Sequence, residues 1–572
     1  MPYRAPVQDV QFIFDNIVGL EQVAQTERFA DATPDVTAAM LQEAGRMCDE
    51  VLAPLNRDGD LEGAKLENGV VRTTPGFAQA YGQWAEAGWV GISGPVEYGG
   101  MGLPLALQTS VNDMMSGACL ALGLNPLLTQ GQIEALEHHA SDEMKATFLP
   151  KLCSGEWSGT MNLTEPGAGS DVGALRTKAE PNGDGTYAVT GQKIFISWGD
   201  ADFMANVCHL VLARLPDGAP GTKGISLFMV PRNIPNEDGS PGPRNSLRVV
   251  SLEHKTGLHG SPTCVMEYDG ATGWLVGGPH DGMKAMFTMM NNARLNVGMQ
   301  GIGVAEGAYQ KALEYAQERK QGRTPVGDGD GAIIDHADVR RMLATMKADI
   351  FAARCIAMAC GVALDMAHAT GDADWQARGA LLTPIAKSFG TDTGIRVSEM
   401  GVQVHGGMGY VEETGAAQFN RDVRVTSIYE GTNGIQAMDL VARKMMDGGE
   451  AAFRLLDEIE QDAEASRGKL PDLARIVWDA AETLREATEW LIEQGLNDRF
   501  AGAVPYQTAF ARVLGSHFHL KAAMAEGGEG ARTRLATFYI NRILPEFEGL
   551  LAHARQGADD LYALSAEDLG AA

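Results

Sequence analysis

Cysteine is sparse and never paired in sequence. The seven cysteines are scattered with no Cys-x-x-Cys spacing, so neither a disulfide framework nor a zinc site has support, and buried reduced thiols are expected. Positive charge is also in short supply: 46 Lys and Arg face 74 Asp and Glu, a net charge of -28. Such a surface repels phosphate backbones and disfavours a nucleic-acid partner. No uninterrupted apolar run is long enough to cross a bilayer. The best one, FAARCIAMACGVALDMAHA, is cut by Arg354 and Asp365. The opening MPYRAPVQDVQFIFDNIVGL carries Asp9 and Asp15 where a signal peptide would be apolar. A cytoplasmic protein with no membrane partner is the expectation, and no 20–50-residue repeat is present.

What is there is enough chain for several packed units: 572 residues, 45% hydrophobic and 21% charged. Residues 1–158 read as helices, Ala/Leu/Met-rich with apolar positions near helical spacing, interrupted by the Gly/Pro-rich WVGISGPVEYGGMGLP. Residues 159–282 change texture to short β-branched runs such as YAVTGQKIFIS and GISLFMVPR, separated by turn chemistry such as PNGDG. With no helical crossovers between them, these strands predict an antiparallel β domain. Residues 283–446 return to helix, with a flexible link at QGRTPVGDGDGAI, and 447–572 form a further helical segment broken once at EGGEG.

Two glycine-rich strings invite a ligand. GIGVAEG (301–307) comes near the dinucleotide fingerprint, but it lies inside a helical run rather than between strand and helix, so small residues for helix packing explain it better. NLTEPGAGSDVGALRTKA (162–179) is more specific. Thr164 and Ser170 offer hydroxyls, and Gly167 and Gly169 let backbone N–H groups approach an anion without adding positive charge. A simple turn accounts for the glycines but not for the whole string.

MNLTEPGAGSD, GQKIFISWGDAD, VQVHGGMGY and IYEGTNGIQ, in this order, resemble the successive signatures of the acyl-CoA dehydrogenase family across residues 30–445. The resemblance implies a mainly helical protein made of an N-terminal helical domain, a central β domain and a C-terminal four-helix bundle, here with a helical extension. It also implies FAD between β domain and bundle, a homodimer or homotetramer that shares the cofactor site, an acyl-CoA substrate and an electron-transferring flavoprotein as acceptor. No metal is implied.

Carried over residue by residue, Leu163 and Thr164 would meet the flavin ring, Gly169 and Ser170 the pyrophosphate, with Ser170 also near the CoA chain. Phe195, Ile196 and Ser197 would line the flavin, although relatives often carry Trp and Thr at 195 and 197. Arg319, Gln403, Gly406 and Gly407 match positions that reach the partner subunit's FAD, and His336 is a further candidate in a loop longer than usual. Arg294 matches an arginine that contacts CoA, and Asn291 stands where many relatives have an acid. Tyr429 and Gly431 would adjoin the substrate, and Thr432 and Asn433 the FAD phosphate and ribose.

Glu430 matches the family's catalytic base. Removing a weakly acidic α-proton while a β-hydride departs needs a carboxylate on one face of the Cα–Cβ bond, and burial should raise its pKa towards neutrality. The length of the chain and its extension resemble a longer bacterial branch, for which 3-methylmercaptopropionyl-CoA, an intermediate of dimethylsulfoniopropionate breakdown, is the expected substrate. Straight medium- or long-chain acyl-CoA is the alternative. An acyl-CoA oxidase and a flavin-bearing DNA-binding stress protein are the rival activities.

Overall fold

The structure, a computed structural model, describes residues 3–324, 326 and 331–570. The Gly/Asp-rich link at 321–333 therefore lies partly outside the described residues. Helices dominate both ends of the chain, and one seven-stranded sheet occupies the middle.

The strands are β1 (Trp157–Asn162), β2 (Lys178–Pro181), β3 (Tyr187–Ser197), β4 (Asn206–Arg214), β5 (Ile225–Pro231), β6 (Leu247–Leu252) and β7 (Thr263–Val276). They run in the order β6-β7-β3-β2-β4-β1, and β5 bridges β7 and β4, so five strands close into a ring. Every residue of β4 but the last and every residue of β5 is buried, which fits their unbroken apolar runs. Pairing is antiparallel except for β1 with β4 and a single β2–β4 contact. Those parallel neighbours are reached through the β2–β3 hairpin, not through a helix.

The first long helix, α1 (Leu105–His139), has a break at Cys119, where φ is -157° and ψ 86°. A straight helix would separate Asn112 from Gln130 by roughly 27 Å. Instead the Asn112 side-chain amide donates a 2.8 Å hydrogen bond to Gln130. The two arms of α1 are therefore antiparallel, turning back at Cys119.

The bundle consists of α2 (Gly282–Glu318), α3 (Ala337–Thr370) and α4 (Ala373–His405), closed by shorter helices that include α5 (Asn433–Val441). At the α2–α4 crossing a Cβ at Gly298 would lie 2.6 Å from the Ala386 carbonyl oxygen, and one at Gly390 2.5 Å from that of Gly298. Glycine at both positions lets the two backbones touch. Helix α3 is long and apolar enough to cross a membrane by composition, yet 83% of its most hydrophobic window is buried inside the protein. The two charges that interrupt it are used internally. Arg354 pairs with Asp113 at 2.6 Å and Glu306 at 3.2 Å, and Asp365 accepts 2.8 Å bonds from the N–H groups of Leu105 and Ala106 at the start of α1.

The extension contributes α6 (Glu450–Ser466), α7 (Pro471–Glu493) and α8 (Ala503–Ala525). In α7 the buried set Leu473, Val477, Leu484 and Leu491 follows helical spacing. Helix α8 is buried along most of its length and is tied to the bundle by Arg512–Asp349 at 2.7 Å and by Gln507, which donates to the Pro384 carbonyl at 3.0 Å. It also packs on α5, so the extension supports the helix that follows Glu430. All seven cysteines are buried and free.

Candidate active site

Glu430 sits in a turn that the local sequence forces. Short helical turns run through Arg424–Ser427, after which Glu430 takes φ +55° and Gly431 φ +82°. Left-handed backbone is easy for glycine and costly for glutamate, a strain of the kind concentrated at functional positions. Two side chains hold the turn. Thr432 caps α5 by accepting from the Ile435 N–H at 3.3 Å, and the Gln436 amide donates to the Glu430 carbonyl at 3.2 Å.

The carboxylate is half-buried, and the protein around it pushes its pKa up to about 7. Loss of solvation is the cause, while the positive charges of Arg294 and Lys387 hold it from rising further. Both cations are themselves buried. Burial pulls Lys387 down to about 8 against the attraction of Glu430 and Asp392. Arg294 is lowered by burial, opposed first by Asp439 and then by Glu430. Asp439 holds two arginines, Arg294 at 3.7 Å and Arg443 at 2.5 Å. Asn291, one turn before Arg294, is exposed.

Asn433 links this turn to α4. It accepts from the Lys387 ammonium at 2.8 Å and donates to Asp392 at 2.7 Å and Thr391 at 3.0 Å. Tyr429 donates its hydroxyl proton to Gln300 on α2.

The 163–170 loop and the end of β3 lie side by side. The Ile194 N–H donates to the Thr164 carbonyl at 2.9 Å, and the buried Lys193 ammonium reaches the Leu163 carbonyl at 3.0 Å and Glu165 at 2.8 Å. Glu165 also accepts from the N–H groups of Arg176 and Thr177 at 2.6 and 3.0 Å. This Lys193–Glu165 clamp fixes a loop whose outer residues are open. Gly167, Gly169 and Ser170 are exposed, and a Cβ on either glycine would meet no atom within 4 Å, so the chain's own packing does not demand glycine there. Phe195 is 59% exposed with φ +61°, and the two residues after it turn inward, Ile196 being buried and Ser197 half-buried. An exposed aromatic on strained backbone beside an open glycine loop fits a planar, phosphate-bearing group such as a flavin nucleotide.

Arg319, His336, Gln403, Gly406 and Gly407 form a separate group. Tyr315 of α2 stacks on His405 of α4 with centroids 4.5 Å apart, which brings the C-terminal ends of both helices together. Arg319, Gln403, Gly406 and Gly407 are exposed there, and His336 contacts the Gln321 carbonyl at 2.9 Å. Arg319, the residue that caps the C-terminal end of α2, lies 25 residues beyond Arg294, roughly 37 Å along the helix axis. One chain does not bring this group to the Glu430 turn.

Lys193, Glu165, Lys387, Asp439 and Gln300 were not singled out from sequence. The available signal was a lone polar residue in an apolar stretch, as in TPIAKSFG around Lys387, which does not by itself reveal what the residue faces.

Family models of the acyl-CoA dehydrogenase N-terminal, middle and C-terminal domains match residues 35–156, 160–271 and 280–446, and an acetyl-CoA dehydrogenase C-terminal-like model matches 455–565. The chain is 44% identical over 568 residues to 3-methylmercaptopropionyl-CoA dehydrogenase of Ruegeria pomeroyi, covering 96% of this chain and 97% of that protein. It is 37% identical over 462 residues to a butyryl-CoA dehydrogenase of Syntrophomonas wolfei, covering 77% and 75%. In fold it is similar to Caenorhabditis elegans ACDH-11, solved in complex with C11-CoA, with a TM-score of 0.78 at 20% identity over 93% of this chain and 91% of that one.

Proposed function

Because the chain belongs to the acyl-CoA dehydrogenase family, oxidoreductases that act on the CH–CH bond of acyl-CoA, we propose that it performs the FAD-dependent α,β-dehydrogenation of 3-methylmercaptopropionyl-CoA. The product is methylthioacryloyl-CoA, a step of dimethylsulfoniopropionate breakdown. The observation that carries the reaction is the Glu430 carboxylate, strained, partly desolvated, brought to about 7 and flanked by two buried cations.

Glu430 takes an α-proton of the thioester onto its carboxylate oxygen; a pKa near neutrality leaves it ionised enough to act and basic enough to be effective. The Glu430 backbone N–H stabilises the charge that builds on the thioester oxygen. Arg294, held by Asp439, binds the CoA portion, with Ser170, Asn291, Tyr429 and Gly431 as further substrate contacts. FAD, when bound, supplies the acceptor for the β-hydride. Leu163, Thr164, Gly169, Ser170, Phe195, Ile196, Ser197, Thr432 and Asn433 hold it, and Arg319, His336, Gln403, Gly406 and Gly407 serve the site of a neighbouring subunit in a homo-oligomer. The roughly 37 Å between Arg319 and Arg294 supports that division. An electron-transferring flavoprotein reoxidises the enzyme.

Near full-length 44% identity supports the sulfur-containing substrate. Similarity to a butyryl-CoA dehydrogenase favours a short straight chain as the second reading. The test is anaerobic mixing of the flavin-loaded protein with 3-methylmercaptopropionyl-, butanoyl-, octanoyl- and palmitoyl-CoA, following loss of flavin absorbance. Fastest bleaching by the first is expected. Preference for another chain overturns the substrate assignment, and no bleaching by any overturns the reaction.

A further inference from the structure

Lys193 and Glu165 pair at 2.8 Å beneath the 163–170 loop, with side chains 0% and 7% exposed. Both carboxylate oxygens are in use. One accepts from Lys193, from the Thr177 hydroxyl at 2.6 Å and from the Thr177 N–H at 3.0 Å, and the other from the Arg176 N–H at 2.6 Å. Burial would raise the Glu165 carboxyl, but the charge and hydrogen bond of Lys193, with the bonds from Thr177 and Arg176, hold it below its ordinary range. Burial brings Lys193 down only to about 8 against the attraction of Glu165, so the pair is ionised at pH 7. Two buried charges are an expensive way to hold a loop, because a well-packed apolar pair of similar volume does so at equal or lower cost.

The ammonium makes a second contact that a clamp does not require, to the Leu163 carbonyl at 3.0 Å. The Leu163–Thr164 peptide is trans, since no described peptide bond is cis, so its C=O and N–H point to opposite sides. With the Leu163 oxygen turned in to Lys193, the Thr164 N–H points away from the buried pair. That N–H has no hydrogen-bond partner among the described residues, although the Thr164 carbonyl is taken by the Ile194 N–H. Thr164 keeps part of its surface open, and Gly167, Gly169, Ser170 and Phe195 around it are exposed. A ligand can therefore reach the free donor.

We propose that Lys193 is a positioning residue for the flavin: its ammonium fixes and polarises the Leu163–Thr164 peptide so that the Thr164 N–H donates strongly to the ring, which raises the reduction potential of the bound cofactor. This rests on the FAD reading above. A ring that accepts a hydride gains negative charge, and the donors and charges beside it set how readily it does so. Glu165 cancels much of the direct field of the ammonium, so what reaches the ring is one strengthened hydrogen bond and the effect is modest.

The test is the two-electron reduction potential of flavin bound to the full chain, read by equilibration with a reference dye of known potential. Lys193→Met with Glu165→Gln removes both charges together, keeps the volume of both side chains and an acceptor oxygen at 165, and leaves no unpaired carboxylate inside. At the same dye ratio the flavin of this double variant is roughly three- to fivefold less reduced than that of the wild type, a potential about 15–20 mV more negative for a two-electron couple. Lys193→Met alone shifts it in the same direction. An unchanged or more positive potential in the double variant overturns the proposal. So does a double variant that fails to fold or to hold flavin, because the pair is then a clamp of the loop and no more. Failure of the wild type to bind FAD overturns the cofactor reading, and this one with it. A wild type that binds FAD but oxidises no acyl-CoA overturns the dehydrogenase reading and leaves the comparison of potentials to decide this proposal by itself.

Discussion

The ammonium of Lys387 donates a 2.8 Å hydrogen bond to Oδ1 of Asn433, three residues beyond Glu430. The cation that restrains the pKa of Glu430 is thus fixed to the turn that carries it. With Glu430 near 7 and active only when ionised, kcat/KM of the free enzyme rises with pH through an ascending limb near 7. Lys387→Met removes a positive charge that favours the carboxylate, so the pKa of Glu430 rises and the limb moves to higher pH by about 1 unit. A pH profile of kcat/KM checks this. An unmoved limb would mean that the lysine does not act on the base.

Glu430→Gln keeps the shape of the turn and its backbone N–H but cannot accept the α-proton. The variant should bind flavin as the wild type does while kcat falls roughly a thousandfold, the usual worth of a positioned general base. Flavin content and anaerobic bleaching, measured on the same sample, separate the two effects. Near-normal bleaching would remove Glu430 from the role of base.

Much of this architecture is legible in the chain because the relevant signals are local. The alternation in YAVTGQKIFIS marks β3, and the spacing of Val477, Leu484 and Leu491 marks α7. Glu430 is legible because the string around it, IYEGTNGIQ, resembles a signature of the family; a lone glutamate beside Gly431 and Thr432 would otherwise read as a solvated loop residue. The supporting residues were illegible for the opposite reason. Lys193 meets Glu165 across 28 residues, and Tyr429 meets Gln300 across 129. Nothing in periodicity reports such partners. The reversal of α1 at Cys119 escaped for a related reason: GACLALGLNPLL carries Gly117, Gly123 and Pro126 in an otherwise apolar helical run, and those breakers do not place the turn at Cys119, which the backbone there and the contact between Asn112 and Gln130 reveal.

Asp439 is expected to act on substrate affinity through Arg294. Its side chain is 3% exposed and holds Arg294 and Arg443 together. Asp439→Asn keeps the volume but removes the charge, leaving two arginines to repel each other. If Arg294 serves CoA, KM should rise about tenfold with kcat changed far less, the pattern of lost uniform binding. A fall in kcat at unchanged KM would instead place Arg294 with the reacting atoms.

Asp9 joins three parts of the chain, pairing with Lys347 of α3 at 2.7 Å and with Arg532 of the extension at 2.8 Å. Burial raises its pKa, but the attraction and hydrogen bond of Lys347, helped by Arg354 and Arg532, outweigh burial and bring it down to about 2. Since this lies below the ordinary value of 3.8, the ionised folded state is favoured. The stabilisation is complete above pH 3.8 and is lost as pH falls through 2. At pH 7 Asp9→Asn should therefore lower stability by about 2 kcal/mol, discounted from the full shift because all three side chains retain some solvent contact. Thermal unfolding of wild type and variant, each loaded with flavin, at pH 7, 5 and 3 is the check. The gap in midpoint should be equal at pH 7 and 5 and smaller at pH 3. A gap that does not close in acid would show that the variant acts through packing around Phe12, whose ring lies 3.6 Å from the Arg532 guanidinium, and not through the charge of Asp9.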